Sequence, residues 1–280
     1  MKKETQHRVC DEKIPVLKAA LKDLKTLAVA FSGGVDSAFL LAVAAVSGLE
    51  RLMAVTVDSA FVTREEVQRA RQAAQDLGVD HKVLAADILQ APRVMKNSPE
   101  RCYHCKKVVF SLIKDAADKA EIAHLVHGVN TDDMADFRPG MQAAVELGFL
   151  SPLLDAGFSK QQIRICSRQM GLVTWNLPSQ SCLATRIPSG DPITPEALGK
   201  IEQAETFLKS LGFAHVRVRC HGSLARIETD DGSIKPMIAM RQQISAALKN
   251  LGFAFVSLDM DGYRTGNMNP FVSDKRAPGI

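Results

Sequence analysis

Three groups of residues have types and spacings that can do chemistry. The first is Ser32-Gly33-Gly34-Val35-Asp36-Ser37, a glycine pair flanked by two serines and a carboxylate. Glycines let a backbone turn tightly against an anion, and N–H groups at a helix start point at it. Ser32 and Ser37 add hydroxyl donors, and Asp36 suits a magnesium ion that bridges phosphates. A plain strand-to-helix turn also uses Gly-Gly and a serine cap, but it requires neither the second serine nor the aspartate. Both a Gly-x-Gly-x-x-Gly fingerprint and the Gly-Lys-Ser/Thr of a Walker loop are missing. The loop reads as a phosphate site of another kind.

The second group is sulfur. Cys102 and Cys105 stand in Arg101-Cys102-Tyr103-His104-Cys105-Lys106-Lys107, and Cys182 follows Pro178-Ser179-Gln180-Ser181. A lone C-x-x-C is compatible with zinc, with redox chemistry or with neither. A helix start and the neighbouring Arg101, Lys106 and Lys107 would favour thiolates. Zinc needs a fourth ligand, for which His104 and His127 are available. Three thiols instead suit an iron–sulfur cluster with one iron left open. Cys10, Cys166 and Cys220 lie in apolar or basic surroundings, and we expect them to be structural and unpaired.

The third group is cationic. Arg217 and Arg219 alternate on one strand and therefore share a face, and Arg186 follows Cys182 by four residues. Guanidiniums grouped on one face make an anion site. The bland alternative is a solvated edge strand. His221 and Arg226 are weaker members of this group, and Trp175 reads as packing.

Elements must hold these groups in place. Leu27-Ala28-Val29-Ala30-Phe31 is a continuous apolar run, as in a strand buried on both faces of a parallel sheet, and the glycine loop follows it directly. Helices are predicted at 12–24, 36–47, 64–77, 103–119, 138–147 and 159–170. Strands at 52–57, 81–84 and 123–127 alternate with them. This is an α/β domain with a parallel sheet. Asp58 ends the second strand, on the edge where open sheets bind ligands. His127-Gly128-Val129-Asn130-Thr131-Asp132-Asp133 ends a later one; Asn130 and Asp133 would reach phosphate or magnesium, or merely cap a helix. Prolines and Gly190 break the pattern over 176–195, which reads as an active-site linker. A helix at 195–211, strands at 215–220 and 225–228, a helix at 234–249 and a strand at 253–258 follow. They predict a smaller α+β domain, so the domains are 1–190 and 191–280.

Composition removes several classes. With 280 residues, 46% of them hydrophobic, the chain is long enough for two domains and too apolar for disorder. No apolar run approaches the roughly 20 residues of a membrane helix. The charged N-terminus lacks a signal-peptide core, so a cytoplasmic location is expected. A net charge of +4 suits an anionic small molecule and is too dispersed to predict nucleic-acid binding.

The loop resembles that of the PP-loop ATP pyrophosphatases, which activate a carbonyl oxygen as an adenylate. Arg101–Lys107, Asp136-Phe137-Arg138-Pro139-Gly140, Ser181–Gly190 and Arg217-Val218-Arg219 narrow the resemblance to the LarE family, over nearly the whole chain. Those enzymes are sulfur transferases of nickel-pincer nucleotide biosynthesis. They adenylate a carboxylate of pyridinium-3,5-biscarboxylic acid mononucleotide and turn it into a thiocarboxylate. The resemblance implies ATP and Mg2+ on Ser32, Gly33, Gly34, Asp36, Ser37, Asp58, Asn130, Asp133 and Arg138. It implies the substrate phosphate on Arg186, Glu205, Arg217 and Arg219. It also implies catalysis by Asp36 and Cys182, and a homo-oligomer. In one branch of the family a cysteine matching Cys182 gives up its own sulfur. In another, three cysteines hold a [4Fe-4S] cluster, and the pair Cys102 and Cys105 beside Cys182 matches that branch.

Other readings compete. A PP-loop tRNA thiolase would share loop and cluster but require a large basic surface. An amidating synthetase explains the loop and leaves the three cysteines without a task. A nucleotide-binding protein with structural zinc would not form AMP and pyrophosphate. The sulfide donor and the role of residues 260–280 are open from sequence.

Overall fold

The computed structural model describes residues 2–135, 139–178 and 180–264. In chain order the first elements are α1 (Lys2–Asp23), β1 (Thr26–Ala30), α2 (Val35–Ala45), β2 (Arg51–Ser59), α3 (Arg64–Asp76) and β3 (Asp80–Ala86). Then come α4 (Pro92–Met95), α5 (Arg101–Asp118), β4 (His124–Val126), α6 (Pro139–Glu146), β5 (Phe149–Leu150), α7 (Pro152–Asp155) and α8 (Lys160–Gln169). The last are α9 (Pro195–Ser210), β6 (Val216–His221), β7 (Leu224–Thr229), α10 (Asp231–Ala239), α11 (Arg241–Asn250) and β8 (Phe255–Leu258).

The chain forms two compact units. One takes the residues up to Ile88 together with Cys102–Gln180; the other takes Leu89–Arg101 and the residues from Ser181 on. Against the expected boundary at 190/191, the stretch from Ser181 joins the second unit. Its backbone hangs on that unit's own side chains: the Asn97 side-chain amide donates to Pro188 O at 2.7 Å and to Asp191 O at 3.0 Å.

In the first unit the sheet runs β3-β2-β1-β4-β5 with every neighbouring pair parallel, as predicted. Leu27 and Val29 of β1 enter one apolar core with Leu17, Phe39 and Ile163, while Ala28 enters the other with Met53, Phe110 and Leu125. Two-sided burial is why this strand reads as an unbroken apolar run. The chain lays β2 and β3 on one side of β1 and β4 on the other. The order therefore reverses between β1 and β4, which opens a crevice at their carboxyl ends. That crevice is where the glycine loop sits.

In the second unit β6 pairs antiparallel with β7, and β7 pairs parallel with β8. The helix predicted over 234–249 is two helices, because Met240 leaves helical geometry with φ −95° and ψ 11°. Helix α1 starts well before residue 12 and runs through Pro15. Arg138 and its neighbours Asp136 and Phe137 lie outside the described residues, as does the tail from 265. No described helix is long and apolar enough to cross a membrane.

The cysteine reading needs one correction. Cys10 and Cys166, expected to be unpaired, form a disulfide between α1 and α8, with Cα atoms 5.6 Å apart. Cys10 lies seven residues before Leu17 on the face of α1 that enters the core, where Cys166 and Ile163 of α8 also lie. Sequence spacing cannot show a contact between residues 156 apart. A crosslink of that span restrains the unfolded chain, so Cys10→Ala/Cys166→Ala should lose about 2–4 kcal/mol in denaturant unfolding. Equal midpoints for this variant and the oxidised parent would remove the crosslink from the stability account.

Candidate active site

The first unit holds the phosphate loop. After β1, Gly33 takes φ +68°, and a Cβ there would lie 2.9 Å from Ala70 Cα of α3. Only glycine fits both demands. The Ser32 and Ser37 hydroxyls bond each other at 3.1 Å, and Ser37 Oγ donates to Gly34 O at 3.3 Å. Gly34 is the N-cap of α2 and makes no side-chain cap hydrogen bond, so it leaves the first-turn N–H groups of α2 to an anion. Gly128, at the end of β4, comes so close that a Cβ would lie 3.0 Å from Ser37 N.

Asp36 is the charged centre of this loop. Its Oδ2 is ion-paired with Lys160 Nζ, while Oδ1 is buried with no hydrogen-bond partner. Burial raises its pKa above the usual carboxylate value, opposed by Lys160. A buried, unpartnered carboxylate oxygen is a donor that a hard cation fits, and magnesium takes one or two carboxylates beside phosphates. Asn130 and Asp133 close the same region. Asn130 N donates to Asp133 Oδ2 at 3.1 Å, and Asp132 N donates to Asn130 Oδ1 at 3.0 Å. Lys160 N donates to Asp132 Oδ2 at 2.9 Å, so α8 begins against this segment.

Lys160 is the residue that sequence reasoning missed. A signal was present: Ser159 and Gln162 form a capping box, which puts a lysine at the first position of a helix. A cation there opposes the helix dipole unless it answers an anion. Asp58, at the end of β2, pairs with Arg64 at 3.0 Å on the surface. His127 is neutral, its pKa pushed down to about 4 by burial, and its Nε2 meets Ser151 Oγ at 2.8 Å.

Cys102 and Cys105 lie at the second and fifth positions of α5, three residues apart and so on one face. Cys102 is exposed, Cys105 half-buried, and neither is in the disulfide. The neighbouring cations are directed elsewhere: Lys107 to Glu146 at 2.8 Å, and Lys106 over the Phe110 ring at 5.0 Å. Among the described residues no group of three His, Cys, Asp or Glu is set to hold a metal ion.

The second unit holds Cys182 and the arginines. Cys182 is half-buried, outside the disulfide, and begins the short turn Leu183–Arg186. Arg186 is 3% exposed and grips Glu205 through Nε and Nη2 at 2.9 and 3.0 Å. Arg219 grips Glu228 through Nε at 2.9 Å and Nη2 at 2.6 Å. The solvated-edge reading of the strand arginines therefore fails, since Arg217 and Arg219 are 8% and 5% exposed. Arg217 donates to Val216 O at 2.8 Å and lies 5.5 Å from the centre of the Tyr263 ring. Burial and the nearby Arg186 lower its pKa. Arg226, rated weaker, bridges Glu228 and Asp259, both at 3.1 Å. Trp175 stacks under Arg168 at 4.9 Å, consistent with packing.

Known proteins are similar to this chain in sequence. The asparagine synthase family profile matches residues 17–110, the span holding the loop. The chain is 36% identical over 254 residues to pyridinium-3,5-bisthiocarboxylic acid mononucleotide synthase of Lactiplantibacillus plantarum, covering 90% of this chain and 92% of that one. It is 34% identical to an uncharacterized protein of Synechocystis sp., covering 92% and 97% of the two chains. It is 30% identical to one of Methanocaldococcus jannaschii, covering 91% and 98%. Similarity on this scale spans the phosphate loop, the C-x-x-C helix, the Cys182 loop and the arginine strand alike, and by it the chain belongs to the LarE family of PP-loop, ATP-dependent sulfur transferases.

Proposed function

We propose that this chain adenylates a carboxylate of pyridinium-3,5-biscarboxylic acid mononucleotide and exchanges its activated oxygen for sulfur, giving a thiocarboxylate. The observation that carries this is the uncapped, glycine-bounded start of α2 beside Asp36, in a chain similar over 90% of its length to a pyridinium-3,5-bisthiocarboxylic acid mononucleotide synthase. The N–H groups of α2 and the hydroxyls of Ser32 and Ser37 hold the pyrophosphate of ATP. A substrate carboxylate oxygen attacks the α-phosphorus, the bond to the β-phosphate bridging oxygen breaks, and pyrophosphate leaves. Lys160 supplies positive charge next to the departing group, and Asn130 and Asp133 fix the neighbouring backbone. Sulfide then attacks the acyl carbon and AMP leaves.

Magnesium, bound at Asp36 and Asp133, would neutralise phosphate charge. Cys102, Cys105 and Cys182 are the residues that would hold a [4Fe-4S] cluster: all three thiols are outside the disulfide, and two stand one helical turn apart. When bound, such a cluster supplies sulfide on the iron that has no protein ligand. We assign the substrate phosphate to Arg217, which is buried beside Tyr263 and shares a strand face with Arg219. A small-molecule nucleotide, rather than RNA, fits the small net charge of +4. We place the enzyme in the cytoplasm as a homo-oligomer.

The test is iron and acid-labile sulfide per chain, on protein handled without oxygen, beside Cys102→Ala. About four irons in the parent, lost in the variant, are expected. An iron-free parent whose Cys182 becomes dehydroalanine after one turnover would assign the sulfur to Cys182 itself.

A further inference from the structure

The loop that carries Cys182 has no ladder partner, so its carbonyls must find donors elsewhere. Side-chain cations and amides supply them. Arg186 Nη1 donates to Ser181 O at 2.5 Å and to Cys182 O at 3.0 Å. The Cys182 carbonyl also accepts from Thr185 Oγ1 at 2.7 Å and from Thr185 N at 3.0 Å. Arg219 Nη1 donates to Thr185 O at 3.1 Å, and Arg101 Nη1 donates to Ala184 O at 3.1 Å. Asn97, fully buried at φ 52°, holds the next stretch through Pro188 O and Asp191 O and accepts from Arg101.

Behind Arg186 stands a fixed support. Glu205 takes two of its N–H groups, and the same carboxylate accepts from Val218 N of β6 at 3.1 Å. The line therefore runs from the Cys182 carbonyl through Arg186 and Glu205 to the backbone of β6, the strand that pairs with β7 at one edge of the second unit's sheet. A buried ion pair of this sort costs desolvation and adds little net stability, so its value lies in the geometry it enforces. The planar fork can grip a carboxylate on one edge while its remaining nitrogen reaches carbonyls on the other.

We infer that Arg186, held by Glu205, is a positioning residue that sets the place of the Cys182 sulfur, and that its guanidinium serves the loop rather than the substrate phosphate. The assignment of a role to that sulfur rests on the reading above; the clamp on the loop does not.

Amide hydrogen exchange of the full chain, without ATP or substrate, tests the clamp directly. In Arg186→Lys the amides of Thr185 and Ile187, which donate to Cys182 O and Ala184 O, should exchange about tenfold faster, with α2 unchanged as the internal reference. Turnover to thiolated product should fall about 100-fold in kcat, the effect of a reacting group displaced by about 1 Å, with KM for the nucleotide substrate within about threefold. Unchanged exchange at those amides would overturn the inference. So would a KM raised more than about tenfold with kcat kept, which would make Arg186 a phosphate ligand. Should Arg186→Lys fail to fold, Thr185→Val removes another donor from the Cys182 carbonyl and should move the same readouts the same way by a smaller factor. A parent that forms no thiolated product at all would refute the functional reading and leave the exchange result standing.

Discussion

Cys182→Ala protein is expected to exchange pyrophosphate into ATP within about twofold of the parent rate while forming at least about a thousandfold less thiocarboxylate. The groups proposed for adenylation are the start of α2, Ser32, Ser37, Asp36 and Lys160, and none of them contacts the thiol through the bonds described. In the proposed reaction sulfur delivery depends on it by either route, whether Cys182 holds the sulfide carrier or is itself the source. AMP release should therefore continue, uncoupled from product, as the acyl adenylate hydrolyses. Cys220→Ala is the matched control, because that thiol is 6% exposed and turned toward Gly222 O. Thiolation by Cys182→Ala at the parent rate would move the sulfur role to other residues.

What could be read from sequence was what is local. The run 27–31 and the glycine loop after it are adjacent in the chain, and a strand buried on both faces next to an anion-binding turn has few other forms. The C-x-x-C pair is likewise a single helical turn. The order of β4 beside β1 is not local, yet it creates the crevice and brings Gly128 tightly against the backbone of Ser37. Gly128 was legible only as one member of a strand-ending segment.

The residues that escaped are those whose partners lie far away in sequence. Lys160 reaches Asp36 across 124 positions, and Cys10 reaches Cys166 across 156. Asn97 had no signal beyond being an asparagine, the non-glycine type that best tolerates positive φ. The arginines were legible as a group and not as individuals. Strand alternation puts Arg217 and Arg219 on one face, but it cannot say that Glu228 takes Arg219, or that Glu205 takes Arg186. Charge neutralisation is decided by packing, and packing separates a guanidinium that binds a ligand from one that braces a loop.

The loop's carboxylate carries the second large prediction. Asp36→Asn preserves the size of the side chain and removes its charge, and formation of AMP and pyrophosphate should fall by about a thousandfold. Two features of the site set that magnitude. Oδ1 is buried without a partner, so in the folded chain one oxygen is desolvated and held ready for a cation. Oδ2 is committed to Lys160, which keeps the buried charge compensated before nucleotide arrives. An asparagine amide would place an N–H donor where a cation is expected and would leave Lys160 facing a neutral group. The Mg2+ dependence of ATP binding separates this from simple loop damage: the variant should bind ATP equally with and without the metal, while the parent binds more tightly with it. Parent-like Mg2+ dependence in Asp36→Asn would move the cation to Asp133 and reduce Asp36 to a partner for Lys160. Lys160→Ala gives the converse, since it removes the ion-pair partner and leaves Arg164 as the remaining cation acting on buried Asp36; its pKa should rise further, and activity should be lost at a higher pH than in the parent as the medium is acidified.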